Sequence, residues 1–235
     1  MTRSPRGRWS WLRGGVGVLV IAILGSMLIR AVLLQAFYIP SGSMEPTLHG
    51  CPGCFGDRVL VNKLTGRLGG VQRGDVVVFH DPGGWLGHGF STSAPHARVN
   101  NTLVSDILAF TGLAPSNSQS DLVKRVIGVG GDTVEGRGGN VYVNGVRLVE
   151  PYIFPGDSPT ALAFKVIVPV DNLWVMGDHR SDSDDSRYQR QQPGKGFVPV
   201  KDVVGRAFVI IWPLGRIDTL NRPATFDQLG VGTKP

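Results

Sequence analysis

The apolar pattern is concentrated at the start of the chain. Residues 1–13 carry Arg3, Arg6, Arg8 and Arg13 and no acid. An uncharged run, GGVGVLVIAILGSMLI, then extends from Gly14 to Ile29. Arg30 interrupts it, and AVLLQAFYI continues to Ile39. A helix over the first run rises about 24 Å, slightly short of a ~30 Å hydrocarbon core, while the whole 14–39 stretch is ample. Arg30 can snorkel to the interface, and Phe37 and Tyr38 suit the interfacial belt. The pattern therefore predicts a basic tail over 1–13 and a single membrane anchor over 14–39. The arginines put the N-terminus on the cytoplasmic side. A cleaved secretory signal is the competing reading, but the run ends without a good small-x-small pair; Leu34-x-Ala36 is the best available.

After residue 40 the pattern changes to short Val-rich strands divided by turns. Val59–Val61 and DVVVFH (75–80) read as strands. DLVKRVIGVGGD (121–132) reads as a strand ending in a glycine turn. NVYVNGVRLVE (140–150) is a hairpin whose Asn144-Gly145 pair suits a type I′ turn. AFKVIVPVDNLWVM adds two strands, and FVPVKDVVGRAFVIIWP closes the sheet; VVGRAFVIIW is too short to span a membrane and carries Arg206. Residues 81–120 are different: Gly, Ser and His dominate, around a short amphipathic helix in TLVSDILAFTG. The expected organisation is a mainly-β extracytoplasmic domain over 40–215, with an inserted loop at 81–120 and a C-terminal tail over 216–235. Two packed antiparallel sheets or a barrel-like arrangement would satisfy it. Trp85, Leu86, Phe90 and the 102–111 helix are candidates to rest on lipid.

Composition narrows the classes. Gly (33) and Pro (16) are about a fifth of the 235 residues, which favours strands and turns over long helices. The net charge of +6 is not gathered into a stripe, so it points to an anionic membrane surface and away from nucleic acid. The two cysteines, Cys51 and Cys54, form one C-x-x-C. Zinc would need two further ligands, with His49, His80 or His88 the nearest histidines, and no second pair exists. A redox pair and a local disulfide stay open; an extracytoplasmic domain favours the disulfide.

Candidate chemistry begins at PSGSMEPTL (40–48), where Ser41 and Ser43 flank Gly42. Ser43 lies four residues beyond Ile39, so an extended chain keeps it within roughly 15 Å of the membrane. A serine nucleophile needs a base. His179 beside Asp178 invites a Ser-His-Asp triad. Lys124 is the other candidate. Strand alternation puts Leu122, Lys124 and Val126 on one face and Val123, Arg125 and Ile127 on the other. A free lysine, with a pKa of about 10.4, is almost never neutral at pH 7, but burial can lower that value by about 3 to 5 units. A buried Lys124 would then serve as a general base. Most strand lysines merely snorkel, so spacing alone leaves this open.

Four segments together resemble one family, the bacterial type I signal peptidases, which are Ser-Lys proteases that remove leader peptides. PSGSMEPTL matches the nucleophile motif without departure. RGDVVVF (73–79), KRVIGVGGD (124–132) and GDHRSDSDDSR (177–187) match the next three, in order and spacing. The resemblance covers about 14–213 apart from the insertion. His179 stands where Asn is common and Gly130 where Pro is frequent; the insertion and the cysteine pair are not family features. The resemblance implies the antiparallel β-fold shared with self-cleaving repressor-type Ser-Lys proteases. It implies Ser43 as nucleophile, Lys124 as general base and Ser41 as oxyanion-hole donor beside the Ser43 N–H. It also implies that Ser183 orients the lysine, and that Asp178, Arg180, Asp185 and Arg187 are a charged scaffold, with Arg125. Ile39, Met44, Leu48, Leu122 and Val123 would wall shallow pockets for alanine-sized side chains. The implied partners are secretory precursors and the outer-leaflet surface. A monomer without metal or other cofactor is expected.

Overall fold

A computed structural model of the chain describes residues 15–18, 25, 33–51, 56–67, 70–86 and 121–229. Twelve strands appear among these residues: β1 (Leu34–Tyr38), β2 (Arg58–Asn62), β3 (Val76–His80), β4 (Asp121–Val129), β5 (Thr133–Arg137), β6 (Asn140–Val143), β7 (Val146–Arg147), β8 (Phe164–Ile167), β9 (Asn172–Met176), β10 (Val198–Pro199), β11 (Val203–Trp212) and β12 (Asp218–Thr219). They form two antiparallel sheets. The larger runs β1-β2-β11-β3-β4-β9-β10, with β12 added to β11; the smaller runs β7-β6-β5-β8. A short helix, α1 (Lys63–Arg67), follows β2. The mainly-β, two-sheet expectation holds.

The central strands are apolar at successive positions because both faces of the large sheet are covered. In β3, Val76 and Val78 face a cluster with Ile39, Met44, Leu48, Val59, Val61 and Ala207, whereas Val77 and Phe79 face one with Val126, Val175, Val198 and Val203. The small sheet closes a third cluster: Val134, Val141 and Val143 pack with Ile127, Trp174 and Met176. The 140–150 hairpin forms as expected. Asn144 and Gly145 both adopt positive φ, 51° and 82°, which matches the twist of a type I′ turn.

Three expectations on the chain's organisation are corrected. The anchor does not run as a helix to Ile39, because Leu34–Tyr38 is β1, paired in full with β2 from Leu34↔Asn62 to Tyr38↔Arg58. Phe37 and Ile39 are buried in the first cluster, so their apolar character serves the domain core. Gly15–Val18 are helical, and the rest of 14–32 apart from Gly25 lies outside the described residues. Among the described residues no helix is long and apolar enough to cross a membrane. Second, 216–229 is no detached tail. β12 pairs with β11, Arg216 binds Asp57 Oδ1 at 2.9 Å, Arg222 binds Asp75 Oδ1 at 2.6 Å, and Phe226 is buried in the third cluster. Third, Trp85 does not face lipid. It is 6% exposed and meets Phe79 edge-to-face with centroids 5.8 Å apart, at an entry turn where Asp81 accepts the Gly83, Trp85 and Leu86 N–H groups. The expected 102–111 helix and Phe90 lie outside the described residues.

Phe226 tests the corrected boundary. It packs on Tyr152, with centroids 6.2 Å apart, and within the third cluster. Phe226→Ala should cost about 3 kcal/mol in urea unfolding of the detergent-solubilised chain. A loss under about 1 kcal/mol would return the segment to the status of a tail.

Candidate active site

The site forms where β9 ends beside β4. Arg125 is the last β4 residue paired with β9, opposite Met176. One step further, Lys124 faces the place where β9 gives way to Gly177. A Cβ on Gly177 would collide with the Ser43 carbonyl oxygen and the Ser183 hydroxyl. The missing side chain therefore admits the Ser43 turn against the edge of the sheet. That turn is a single 3-10 turn, Gly42–Met44, anchored by buried Met44 and Leu48. The His179 N–H donates to the Ser43 carbonyl at 3.1 Å and holds it there.

Lys124 Nζ donates to Ser43 Oγ at 2.7 Å, across 81 residues of sequence. Lys124 is 3% exposed. Burial pulls its pKa down from 10.5 to about 8; Asp185, Asp184 and Asp178 push it back up, and Arg187 pulls it further down. The amine is thus neutral in roughly a tenth of molecules at pH 7. Ser41 Oγ lies 3.3 Å from Ser43 Oγ and is exposed at the mouth.

The loop after β9 is an ordered lattice of buried charge. Asp178, Arg180, Asp185 and Arg187 are 0, 2, 0 and 2% exposed. Arg187 binds Asp185 through Nε at 2.9 Å and Nη2 at 2.8 Å. Burial pushes the Asp185 carboxyl up, but Arg187 and the Gly177 N–H outweigh it and hold it below the usual carboxylate range. Arg125 grips Asp178 through Nε at 2.8 Å and Nη2 at 2.6 Å. Arg180 binds Glu150 through Nη2 at 2.5 Å and the Gly177 carbonyl through Nε at 2.9 Å.

Several expected details differ. Ser183 Oγ donates to Asp185 Oδ2 at 2.8 Å, and among the described residues no hydrogen bond joins it to Lys124. Its hydrogen bond goes to the carboxylate whose charge lies near the amine. The five pocket residues do not share one wall. Val123 packs with Ile39, Met44 and Leu48, whereas Leu122 packs on the opposite face of the sheet with Val77 and Phe79. Ile39, Met44 and Leu48 are at most 2% exposed, so they back the site as core residues. The Ser-His-Asp alternative is not assembled. The His179 ring stacks on Phe154, with centroids 4.0 Å apart, its Nδ1 has no partner, and Asp178 is bound to Arg125 and Thr47. Cys51 is disulfide-bonded; Cys54, the other cysteine of the chain, lies outside the described residues. Among the described residues no cluster of His, Cys, Asp or Glu has metal-binding geometry.

The profile of the family described as signal peptidase, peptidase S26, matches residues 8–212. The chain belongs to that family. It is 41% identical to a probable signal peptidase I of Mycobacterium leprae over 222 residues, covering 84% of this chain and 75% of the relative. It is 40% identical to signal peptidase I of Mycobacterium tuberculosis over 231 residues, 92% of this chain and 78% of that one. A crystal structure of a signal peptidase I from Enterococcus faecalis V583 aligns with 58% of this chain and 95% of that chain at 26% identity; its TM-score of 0.36 is too low to bear on the fold. As a member of peptidase S26, the chain is a serine endopeptidase of the signal peptidase I type.

Sequence reading missed the partners that this peptidase supplies from outside its motifs. Glu150 follows the hairpin and takes Arg180. The Tyr152 ring lies beneath Arg125, whose Cζ is 4.3 Å from its centroid, and the Tyr152 hydroxyl donates to Glu150 at 2.7 Å. No periodicity marks either residue; a buried arginine in the last motif implies an acid somewhere but does not say which. Arg73 and Asp132 did sit in matched motifs, and they pair at 2.6 Å through Nε.

Lys124 has a measurable thermodynamic signature. Its folded pKa of about 8 lies below the ordinary 10.5, a difference equivalent to about 3 kcal/mol. The unfolded chain binds the extra proton between those values, so stability rises with pH through that window. The full cost is borne below pH 8. Lys124→Met should therefore stabilise the protein at pH 6 by up to about 3 kcal/mol, with the gain fading towards pH 10, in urea titrations at a series of pH values. A loss of stability at pH 6 would contradict a buried, destabilised ammonium.

Proposed function

We propose that the protein removes N-terminal signal peptides from secretory precursors, cutting after an Ala-x-Ala-like site at the outer face of the membrane. The observation that carries this reading is the 2.7 Å contact of a buried, pKa-depressed Lys124 amine with Ser43 Oγ. The uncharged N-terminal run and its basic flank support an anchor with the N-terminus cytoplasmic. In this reading the anchor ends before β1, which leads into the nucleophile turn, so the chain from Leu34 to Ser43 keeps the chemistry within roughly 30 Å of the bilayer.

The steps follow from the atoms present. The precursor lies extended beside the strands, as in β-addition. Neutral Lys124 takes the Ser43 proton while Oγ attacks the carbonyl of the residue before the cut. The Ser41 hydroxyl and the Ser43 N–H stabilise the resulting oxyanion. The Lys124 ammonium returns its proton to the leaving amine, and the mature protein departs. A water, deprotonated by Lys124, then hydrolyses the acyl-enzyme and frees the signal peptide.

In detergent, the full chain should cut a precursor bearing an Ala-x-Ala site, and Ser43→Ala and Lys124→Ala should each lower kcat by several orders of magnitude. Normal turnover in Lys124→Ala would end the dyad reading. Ser41→Ala should lose about 10²- to 10³-fold; wild-type rates there would remove its oxyanion role. The pH profile of kcat/KM should fall tenfold per unit below about pH 8 as Lys124 is protonated. A profile flat from pH 6 to 8 would show that no such base operates.

A further inference from the structure

We infer that Thr47 is a positioning residue for the Ser43–Lys124 pair, acting as the side-chain pin between the nucleophile turn and the strand that carries the base. Its hydroxyl donates to Asp178 Oδ2 at 2.5 Å and accepts from Arg125 Nη2 at 3.2 Å. The three groups close a triangle, because Arg125 also binds both Asp178 oxygens. Each corner belongs to a different part of the site. Thr47 follows Ser43 by four residues, in the segment just after the nucleophile turn, Arg125 is next to Lys124 on β4, and Asp178 lies at the start of the charged loop.

Among the described residues, the 42–48 segment has two ties to that loop and strand besides the Lys124 bond. One is the main-chain bond from His179 N–H to the Ser43 carbonyl. It can form with almost any side chains. The other is the Thr47 hydroxyl, which only a hydroxyl-bearing residue can supply. Inside the turn, the Leu48 N–H donates to the Met44 carbonyl at 2.9 Å, so the Thr47 pin is transmitted to the segment that presents Oγ. Removing the hydroxyl does not orphan a charge: Asp178 and Arg125 keep each other, and Arg125 keeps the Gly74 carbonyl at 2.9 Å and the Tyr152 ring. The cost should therefore fall on alignment more than on the fold. Small misplacements of reacting groups are expensive in rate.

This inference rests on the dyad reading above, and the test separates the two. Thr47→Val keeps the branched shape and removes the hydroxyl; Thr47→Ser keeps the hydroxyl. In precursor cleavage, Thr47→Val should lose about tenfold in kcat with KM within twofold, an unchanged pH midpoint, and recovery of at least half the rate in Thr47→Ser. Amide hydrogen exchange of the full chain gives a readout independent of turnover. Thr47→Val should speed exchange at Met44–Leu48 about tenfold while the β4 amides stay protected. If the wild type cuts no precursor, the functional reading fails, and the exchange data alone decide the pin. Wild-type kcat in Thr47→Val, unchanged exchange in the turn, or equal loss in the Ser variant would each overturn the role assigned to Thr47.

Discussion

The site depends on one constraint: an amine kept dry enough to lose its proton more readily than a free lysine, yet surrounded by carboxylates that favour its charge. Burial of Lys124 is the dominant influence on its pKa, and Asp185 is the strongest opposing one. A lone buried carboxylate beside the amine would hold it as ammonium, because Coulomb attraction strengthens as water is removed. Arg187 opposes that. Its two-pronged bond to Asp185 offsets part of the carboxylate's pull on the Lys124 proton, while the carboxylate holds Ser183 and the Gly177 N–H.

The same logic explains why so much charge is buried around one serine. Buried ion pairs contribute little net stability against a well-packed apolar alternative, whereas breaking one is costly. What they supply here is a fixed geometry between segments distant in sequence. Arg125 ties the lysine strand to Asp178, and Arg180 ties the loop to Glu150. Gly177 leaves the space into which the Ser43 turn fits. The apolar clusters hold the sheets; the ionic lattice sets the register of the parts that must meet.

Much of this was legible in the chain. Strand alternation assigned Leu122 and Val126 to one face of β4 and Val123 and Ile127 to the other, and the clusters divide in that way. Asn144-Gly145 announced its turn. The matched motifs point to Ser43 and Lys124, and the fold brings the two side chains within 2.7 Å. The misreadings have physical causes. LQAFY is as apolar at the end of an anchor as in a strand, and only its pairing with β2 decides between them. The final twenty residues are polar and proline-containing, and nothing local shows that Phe226 reaches the core. Glu150 and Tyr152 were invisible because their role comes from partners brought close by the two-sheet fold.

The central claim is that Lys124 gives up its proton near neutrality inside the folded protein. The most direct test is an NMR titration of the Lys124 side chain, using ¹³Cε-labelled lysine in the detergent-solubilised chain and assigning the signal with Lys124→Met. The account predicts a midpoint near the value of about 8 set by its burial. A midpoint at the ordinary lysine value of about 10.4 would contradict it.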